Sequence, residues 1–330
     1  MSEDLAAPSI ADVRQAAGVL ASRIGLPTPL VYSAALSERL GAHVSLKYEF
    51  ANPIGVFKLR GGLFLASRLS AEQRTAGLVT ASTGNHGQSI AYAAAAEGVP
   101  ATIFVPEDAN PGKVASMRRL GAEVVHRGAR FDDSRIAAEE HAAERGMRFV
   151  HAANEPDLIA GVATAALEVL EQQQPDTDVV IVPVGAGSGA TGWTIVRDGL
   201  ETTAEVWAVQ SAQAPAAHDS WRARQLLERP NRTRAEGLAT GVAFPLTLGV
   251  LWDRLDEFVL VDDDAIDRAV VTLIDDAHIL AEPAGAAPLA AALRYVERLR
   301  GRRMVLVVSG ANVTSKQLLR ILERGGVPAG

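Results

Sequence analysis

The sequence predicts an α/β protein of two doubly wound lobes, each built on a parallel sheet, and three observations carry that prediction. Short apolar runs alternate with amphipathic helical segments in two successive series, the pattern of strand-helix-strand units. A chain of 330 residues that is 48% hydrophobic is long enough for about two cores. Loops rich in glycine, serine, threonine and asparagine follow the apolar runs, at the strand ends where open α/β sheets hold their ligands.

In chain order, a helical period over 10–24 precedes the extended loop Pro27-Thr28-Pro29, and 44–48 alternates like a strand. A turn at Pro53 and Gly55 leads into a helical pattern through Leu59, Leu63 and Leu69. The first series is strand 78–80, helix 88–96, strand 101–105, helix 112–120, strand 123–125, helix 132–144 and strand 148–150. Helix 156–172, strand 179–184, helix 189–198 and strand 205–209 form the second. Residues 211–251 read as irregular; order resumes with strand 258–261, helices 263–277 and 284–300, strand 304–308 and a last helix after Ser315. The layout predicts a large domain of residues 1–70 and 152–330, with a small domain, 71–151, inserted in it.

Composition excludes several functions. A net charge of -7, with both signs dispersed, offers no basic stripe for a nucleic-acid backbone. The densest basic run, 222–234, has five arginines with Glu228 and almost no aromatics, and reads as a solvated flap. The absence of cysteine removes disulfides, thiolate metal sites and a cysteine nucleophile. Met1-Ser2-Glu3-Asp4 lacks the basic start of a signal peptide, and no apolar stretch approaches the roughly 18 residues of a membrane span. The expected location is the cytoplasm, with no membrane partner.

Chemistry concentrates in four places. Lys58 follows apolar Val56 and Phe57 at a predicted helix start; apolar neighbours and the positive helix end both disfavour an ammonium and free an amine for covalent chemistry. The competing reading is a surface lysine beside Arg60. The loop Ala81-Ser82-Thr83-Gly84-Asn85-His86-Gly87-Gln88 opens a helix and suits a carboxylate or phosphate, although serine, threonine and asparagine are also ordinary caps. His86 is either an anion contact or a satisfied polar residue, since no second ligand lies at metal spacing. The loop Gly185-Ala186-Gly187-Ser188-Gly189 brings backbone N–H groups close to a phosphate. Gly187 to Gly192 also fits G-x-G-x-x-G, but the ribose acid expected about 20 residues on is replaced by Gln210, which favours one phosphate over a dinucleotide. Ser309, after the last strand, reads by itself as a helix cap.

In this order the pieces resemble the pyridoxal-phosphate enzymes of the tryptophan-synthase-β fold type, in the serine/threonine dehydratase and serine racemase branch. The motifs are Pro53 to Gly61, Ser82 to Gln88, Gly185 to Gly189, Glu282-Pro283-Ala284-Gly285 and Ser309-Gly310-Ala311-Asn312, over about residues 15 to 320. The resemblance implies pyridoxal 5'-phosphate in the cleft between the lobes, joined to Lys58 beside Phe57. Its phosphate would lie on Gly185, Ala186, Gly187, Ser188 and Gly189, its ring oxygen at Asn85, its ring nitrogen at Ser309, with Glu282 close by. Ser82, Thr83, Asn85 and His86 would bind the substrate α-carboxylate.

A neutral hydroxyl at the ring nitrogen makes the cofactor a weaker electron sink, which favours coupling loss of the α-proton to loss of a β leaving group. The implied activity is an ammonia-lyase acting on serine, threonine or 3-hydroxyaspartate. β-Replacement, a threonine synthase-like reaction and racemisation are the alternatives on the same fold; a nucleotide-binding protein without the cofactor is the alternative of another class. Departures from the family pattern are Val56 for the usual serine, Ala186 and Ser188 in the glycine run, and Thr83 where racemases carry a serine. The stretch 210–216 has no carboxylate where metal-activated relatives have two, so no metal is expected. The chain end near residue 330 leads to the expectation of no regulatory domain. Arg135 resembles an arginine that relatives carry toward the substrate, where it would take a second carboxylate; its competing reading is a surface pair with Glu139. A homodimer is expected.

Overall fold

The computed structural model describes residues 6–325. The tetrapeptide behind the expected location, and the outermost residues of the large domain at both ends, lie outside the described residues. The strands are β1 (Leu30–Tyr32), β2 (His43–Tyr48), β3 (Leu78–Ala81), β4 (Ala101–Val105), β5 (Glu123–His126), β6 (Arg148–Phe149), β7 (Val179–Pro183), β8 (Glu205–Ser211), β9 (Glu257–Val261) and β10 (Arg303–Val308). They form a six-stranded sheet, ordered β1-β2-β10-β7-β8-β9, and a four-stranded sheet, ordered β5-β4-β3-β6. All neighbours are parallel except β1, which runs antiparallel to β2 with Leu30 opposite Lys47. The two-lobe α/β architecture is therefore present. The small sheet falls within 71–151.

Alternation along the strands sorts side chains onto the two faces of the large sheet. In β10, Met304, Leu306 and Val308 enter one core with Trp207 and Val259, while Val305 and Val307 enter the other with Val180, Val182 and Trp193. The helix Lys58–Ser67 joins the lobes. Its Leu59 and Leu63 share a core with Leu78 and Ile103 of the small sheet. Glycines let it press against a helix from each side: a Cβ on Gly61 would sit 2.7 Å from the Leu158 carbonyl, and one on Gly62 would strike Ser89. Ser89 Oγ donates to the Lys58 carbonyl at 2.6 Å.

The structure corrects several expectations. Residues 211–251 contain two helices, Ala216–Ala223 and Pro245–Arg254, whose Trp221, Leu246 and Leu251 pack onto the core holding Phe258. The run 222–234 is tied down: Arg224, Arg229 and Arg234 pair with Asp253, Asp219 and Asp264 with Asp267. Strand β1 and the helices Ala34–Leu40 and Ala71–Ala76 were not expected. They are three to seven residues long, too short to display a period. The helix expected over 156–172 is α-helical only for Pro156–Leu167 and continues as a π-helix, Glu168–Gln173. This wider turn puts Glu168 among buried ions.

Candidate active site

The carboxyl ends of β3, β7 and β10 open on one cleft of about 200 Å³. Two further cavities among the described residues measure only about 10 Å³ each, so this cleft is the place for a ligand. Lys58 begins its helix at the cleft floor. The Lys58 Nζ stands 5.3 Å from the Phe57 ring centroid and no acceptor bonds it among the described residues. Burial lowers its pKa to about 8, with Glu282 opposing the shift. The turn carrying it is zipped to the loop after β10: Phe57 N donates to Ser309 O at 2.9 Å, and Ala311 N to Gly55 O at 3.0 Å. Val56, which stands in place of the usual serine, is buried in this zipper against Gly310.

On the small lobe, the loop after β3 is folded by its own serine. Ser82 Oγ accepts from Gly84 N at 3.2 Å and Gly87 N at 2.9 Å. Gln88 N donates to Gly84 O, which leaves the first-turn N–H groups of Asn85 and His86 without intrahelical partners and facing the cleft. Thr83 is exposed at the cleft wall.

His86 requires a correction. Its Nε2 lies 3.0 Å from Thr80 Oγ1, whose proton goes to the Val150 carbonyl at 2.8 Å. The ring must therefore donate to Thr80 through Nε2. Burial, then the Lys58 charge, lower its pKa to about 3, so the ring is neutral, and its remaining nitrogen is an acceptor that repels a carboxylate. Only the backbone N–H of His86 can serve an anion.

On the large lobe, Gly187, with φ +95°, turns the loop after β7 into the helix Ser188–Gly199. A Cβ on Gly185 would strike the Gly237 carbonyl, and one on Gly187 would lie 3.0 Å from Thr247. Gly189 has room for a methyl, so its glycine is not demanded by packing. Free N–H groups at this helix start make a second anion cradle on the same cleft.

Between the cradles runs a polar chain. Asn85 Nδ2 donates to Glu282 Oε1 at 2.8 Å, and Asn312 Nδ2 donates to Asn85 Oδ1 at 2.9 Å. Burial pushes Glu282 up to about 7, against the Lys113 charge and the Asn85 bond. Ser309 is buried at the cleft. Arg135 is not brought there: its guanidinium bonds Glu139 at 2.6 Å on the helix surface, and it is absent from the cleft wall. Its i+4 pairing is the surface reading.

A family model of the pyridoxal-phosphate dependent enzymes matches residues 21–310. The chain belongs to the pyridoxal-phosphate dependent enzymes. Among curated members, an L-threonine ammonia-lyase of Geobacter sulfurreducens is 39% identical over 92% of this chain and 75% of its own. A solved T.th. threonine deaminase is 35% identical, with a TM-score of 0.87 over 93% of this chain and 99% of that one. Maize serine racemase superposes with a TM-score of 0.90 at 29% identity, over 96% and 98%. The cleft fits the family's cofactor: it has an unpaired amine, a glycine cradle whose curvature excludes side chains at Gly185 and Gly187, and a buried hydroxyl and amide between them.

Some cleft residues of this pyridoxal-phosphate enzyme were missed. Lys113, Arg234, Glu236 and Gln317 line the mouth. Arg234 and Glu236 sit in or beside the run read as a flap, and nothing in their local pattern separates them from surface charges. Behind Lys58, Arg60 is fully buried, donating to Glu49 at 2.7 Å and to Glu168 at 2.7 Å, while Lys47 donates to Glu168 at 2.6 Å. All three members of the polar chain, Asn85, Glu282 and Asn312, lie in motifs the sequence displays, but their bonding to one another does not show there.

Proposed function

We propose that this enzyme is an ammonia-lyase that removes water from a small 3-hydroxy amino acid, of the threonine and serine class, giving a 2-oxo acid and ammonia. One observation carries the reading: the unpartnered amine of Lys58 faces a cleft between a carboxylate seat on one lobe and a phosphate cradle on the other. The identity to an L-threonine ammonia-lyase supports it.

In this reading Gly185 to Gly189 hold the phosphate, the free amide hydrogen of Asn85 meets the ring oxygen, and Ser309 faces the ring nitrogen. When bound, the cofactor supplies an electron sink for charge developing at the substrate α-carbon. The protein does the rest. The hydroxyls of Ser82 and Thr83 and the N–H groups of Asn85 and His86 hold the α-carboxylate, fixing the α-hydrogen over the cleft floor. Lys58, free once substrate is bound, takes that proton on Nζ; a pKa of about 8 leaves a useful fraction of amine near neutrality. The β-hydroxyl takes that proton back from the Lys58 ammonium and leaves as water, which restores the amine, and hydrolysis of the released enamine gives the oxo acid and ammonia. A neutral Ser309 disfavours a long-lived carbanion, so elimination outruns reprotonation and racemisation. A cytoplasmic homodimer completes the reading, two-fold pairs being the commonest closed assembly.

The test is to supply pyridoxal phosphate and measure ammonia and 2-oxo acid from L-threonine, L-serine and 3-hydroxyaspartate. Yellow protein, bleached by borohydride, with turnover of at least one of the three is the expected result. Protein that takes up no cofactor, or releases no ammonia from any of them, contradicts the reading. Sedimentation giving only monomer at micromolar concentration contradicts the dimer.

A further inference from the structure

The carboxylate seat has a cationic neighbour outside its own motif. Lys113, in the first turn of the helix Pro111–Arg119, reaches back over the loop after β3: a Cβ on Gly84 would lie 3.6 Å from its Nζ. Its side chain is only 12% exposed and lines the cleft. Glu282 lines the same cleft, and the Lys113 charge, like that of Lys58, works against the burial that raises the Glu282 carboxyl. Burial lowers its pKa, with Glu282 opposing.

The ammonium is taken by Glu236 of the large lobe. Glu236 Oε2 bonds Lys113 Nζ, and Gln317 Nε2 donates to Glu236 Oε1 at 2.6 Å. Glu236 is 48% exposed, so its carboxylate comes from the solvent side. A pair with one hydrated partner is weak. A carboxylate placed inside the cleft, on the same side of Gly84 as the ammonium, would lose less of its attraction to water.

We propose that Lys113 is a further contact for the substrate's α-carboxylate, and that Glu236 is an internal carboxylate that holds Lys113 until substrate takes its place. The inference rests on the reading above only in placing an amino-acid carboxylate on the loop Ser82 to Gly87. Glu236 then acts as a built-in competitor. It shares the substrate's charged group and reaches the ammonium from the opposite lobe.

The test uses the holoenzyme, with KM and kcat from ammonia release. Glycine binding is read separately by calorimetry, glycine carrying the carboxylate but no leaving group. Lys113→Met raises KM and the glycine Kd about tenfold, with kcat changed by no more than about twofold, as for a contact made equally in ground and transition states. Lys113→Arg retains most of the affinity. Glu236→Gln lowers KM and the glycine Kd, and the double variant matches Lys113→Met alone, because Glu236 acts through Lys113. An unchanged glycine Kd in Lys113→Met, a loss confined to kcat, or a raised KM in Glu236→Gln overturns the proposal. Wild-type protein that binds glycine but releases no ammonia sinks the ammonia-lyase reading alone, and the glycine constants of the variants still decide the role of Lys113. Wild-type protein that binds no amino acid sinks both.

Discussion

Lys47 and Lys58 are both withdrawn from water, and burial lowers the pKa of each. Their surroundings then diverge. The Lys47 ammonium donates to the Thr28 carbonyl at 2.8 Å, to Glu168 at 2.6 Å and to Gln173 at 2.7 Å, and the Glu49 and Glu168 charges oppose its loss of a proton. Arg60, two residues beyond Lys58, completes that cluster of two cations and two anions. Lys58 has an aromatic ring at 5.3 Å and a single distant acid. Desolvation is common to both, so it does not by itself make a reactive amine. Partners fix Lys47 as a structural cation; among the described residues no acceptor bonds Lys58, whose pKa falls to about 8.

The sharpest way to break this contrast is to remove each lysine and follow ammonia release. Lys58→Ala should lower kcat by about 10³-fold or more, since the proposed function makes this side chain both attachment point and base, whereas Lys47→Met should stay within about tenfold of wild type. Comparable losses would erase the distinction.

Stability should respond in the opposite sense. Removing Lys47 leaves Glu168 with one fewer cation in a buried site, costing about 3–5 kcal/mol and lowering the melting temperature. In cofactor-free protein, Lys58→Met should stabilise by on the order of 2 kcal/mol at pH 7. The sign follows from linkage: a folded pKa near 8, below the ordinary 10.5, means the unfolded chain holds more protons between those values. Wild-type stability then rises with pH through that window and is depressed below it. Thermal melts of both variants at pH 7 and pH 10 check the sign.

Chemical modification sharpens the comparison further. Acylation of cofactor-free protein should label Lys58 with a rate that climbs through about pH 8, while peptide mapping should find Lys47 unlabelled until the fold is lost.

Glu282, the acid whose charge acts on Lys58, titrates the other way. Burial raises it to about 7 from 4.5, so the folded state is favoured below pH 4.5 and loses that contribution as pH rises to about 7. Glu282→Gln should flatten this loss, seen as a smaller fall in melting temperature between pH 5 and pH 8. The smallest effect belongs to Arg135→Ala: with its guanidinium on Glu139, turnover of threonine, serine and 3-hydroxyaspartate should each change by about twofold or less. A selective loss on the diacid would restore Arg135 to the substrate.

The reactive half of this comparison was legible in the sequence and the structural half was not. Lys58 and the loops after β3, β7 and β10 stand out because glycines and hydroxyls follow apolar runs, a local signal of strand ends. Lys47 sits in the alternating run Val44-Ser45-Leu46-Lys47-Tyr48, where a polar position suggests solvent. The strand lies inside the sheet, between β1 and β10, so its polar positions are covered as well. Arg60 looked like a surface neighbour because its partners, Glu49 and Glu168, lie 11 and 108 residues away. The mouth was hidden for the same reason: Lys113, Glu236 and Gln317 meet only through the docking of three separate elements.

The helix that starts at Lys58 is an axle carried by two bearings. One is the Pro156–Leu167 helix of the large lobe, against which Gly61 and Gly161 allow backbone contact; the other is Ser89 of the small lobe, hydrogen-bonded to the carbonyl of Lys58 itself. The rod is thus clamped from both lobes, and the amine sits at its end. A reactive amine on a side chain that could swing freely would lose its aim, and here the main chain beneath Lys58 is held so closely that a methyl at Gly62 would collide with Ser89.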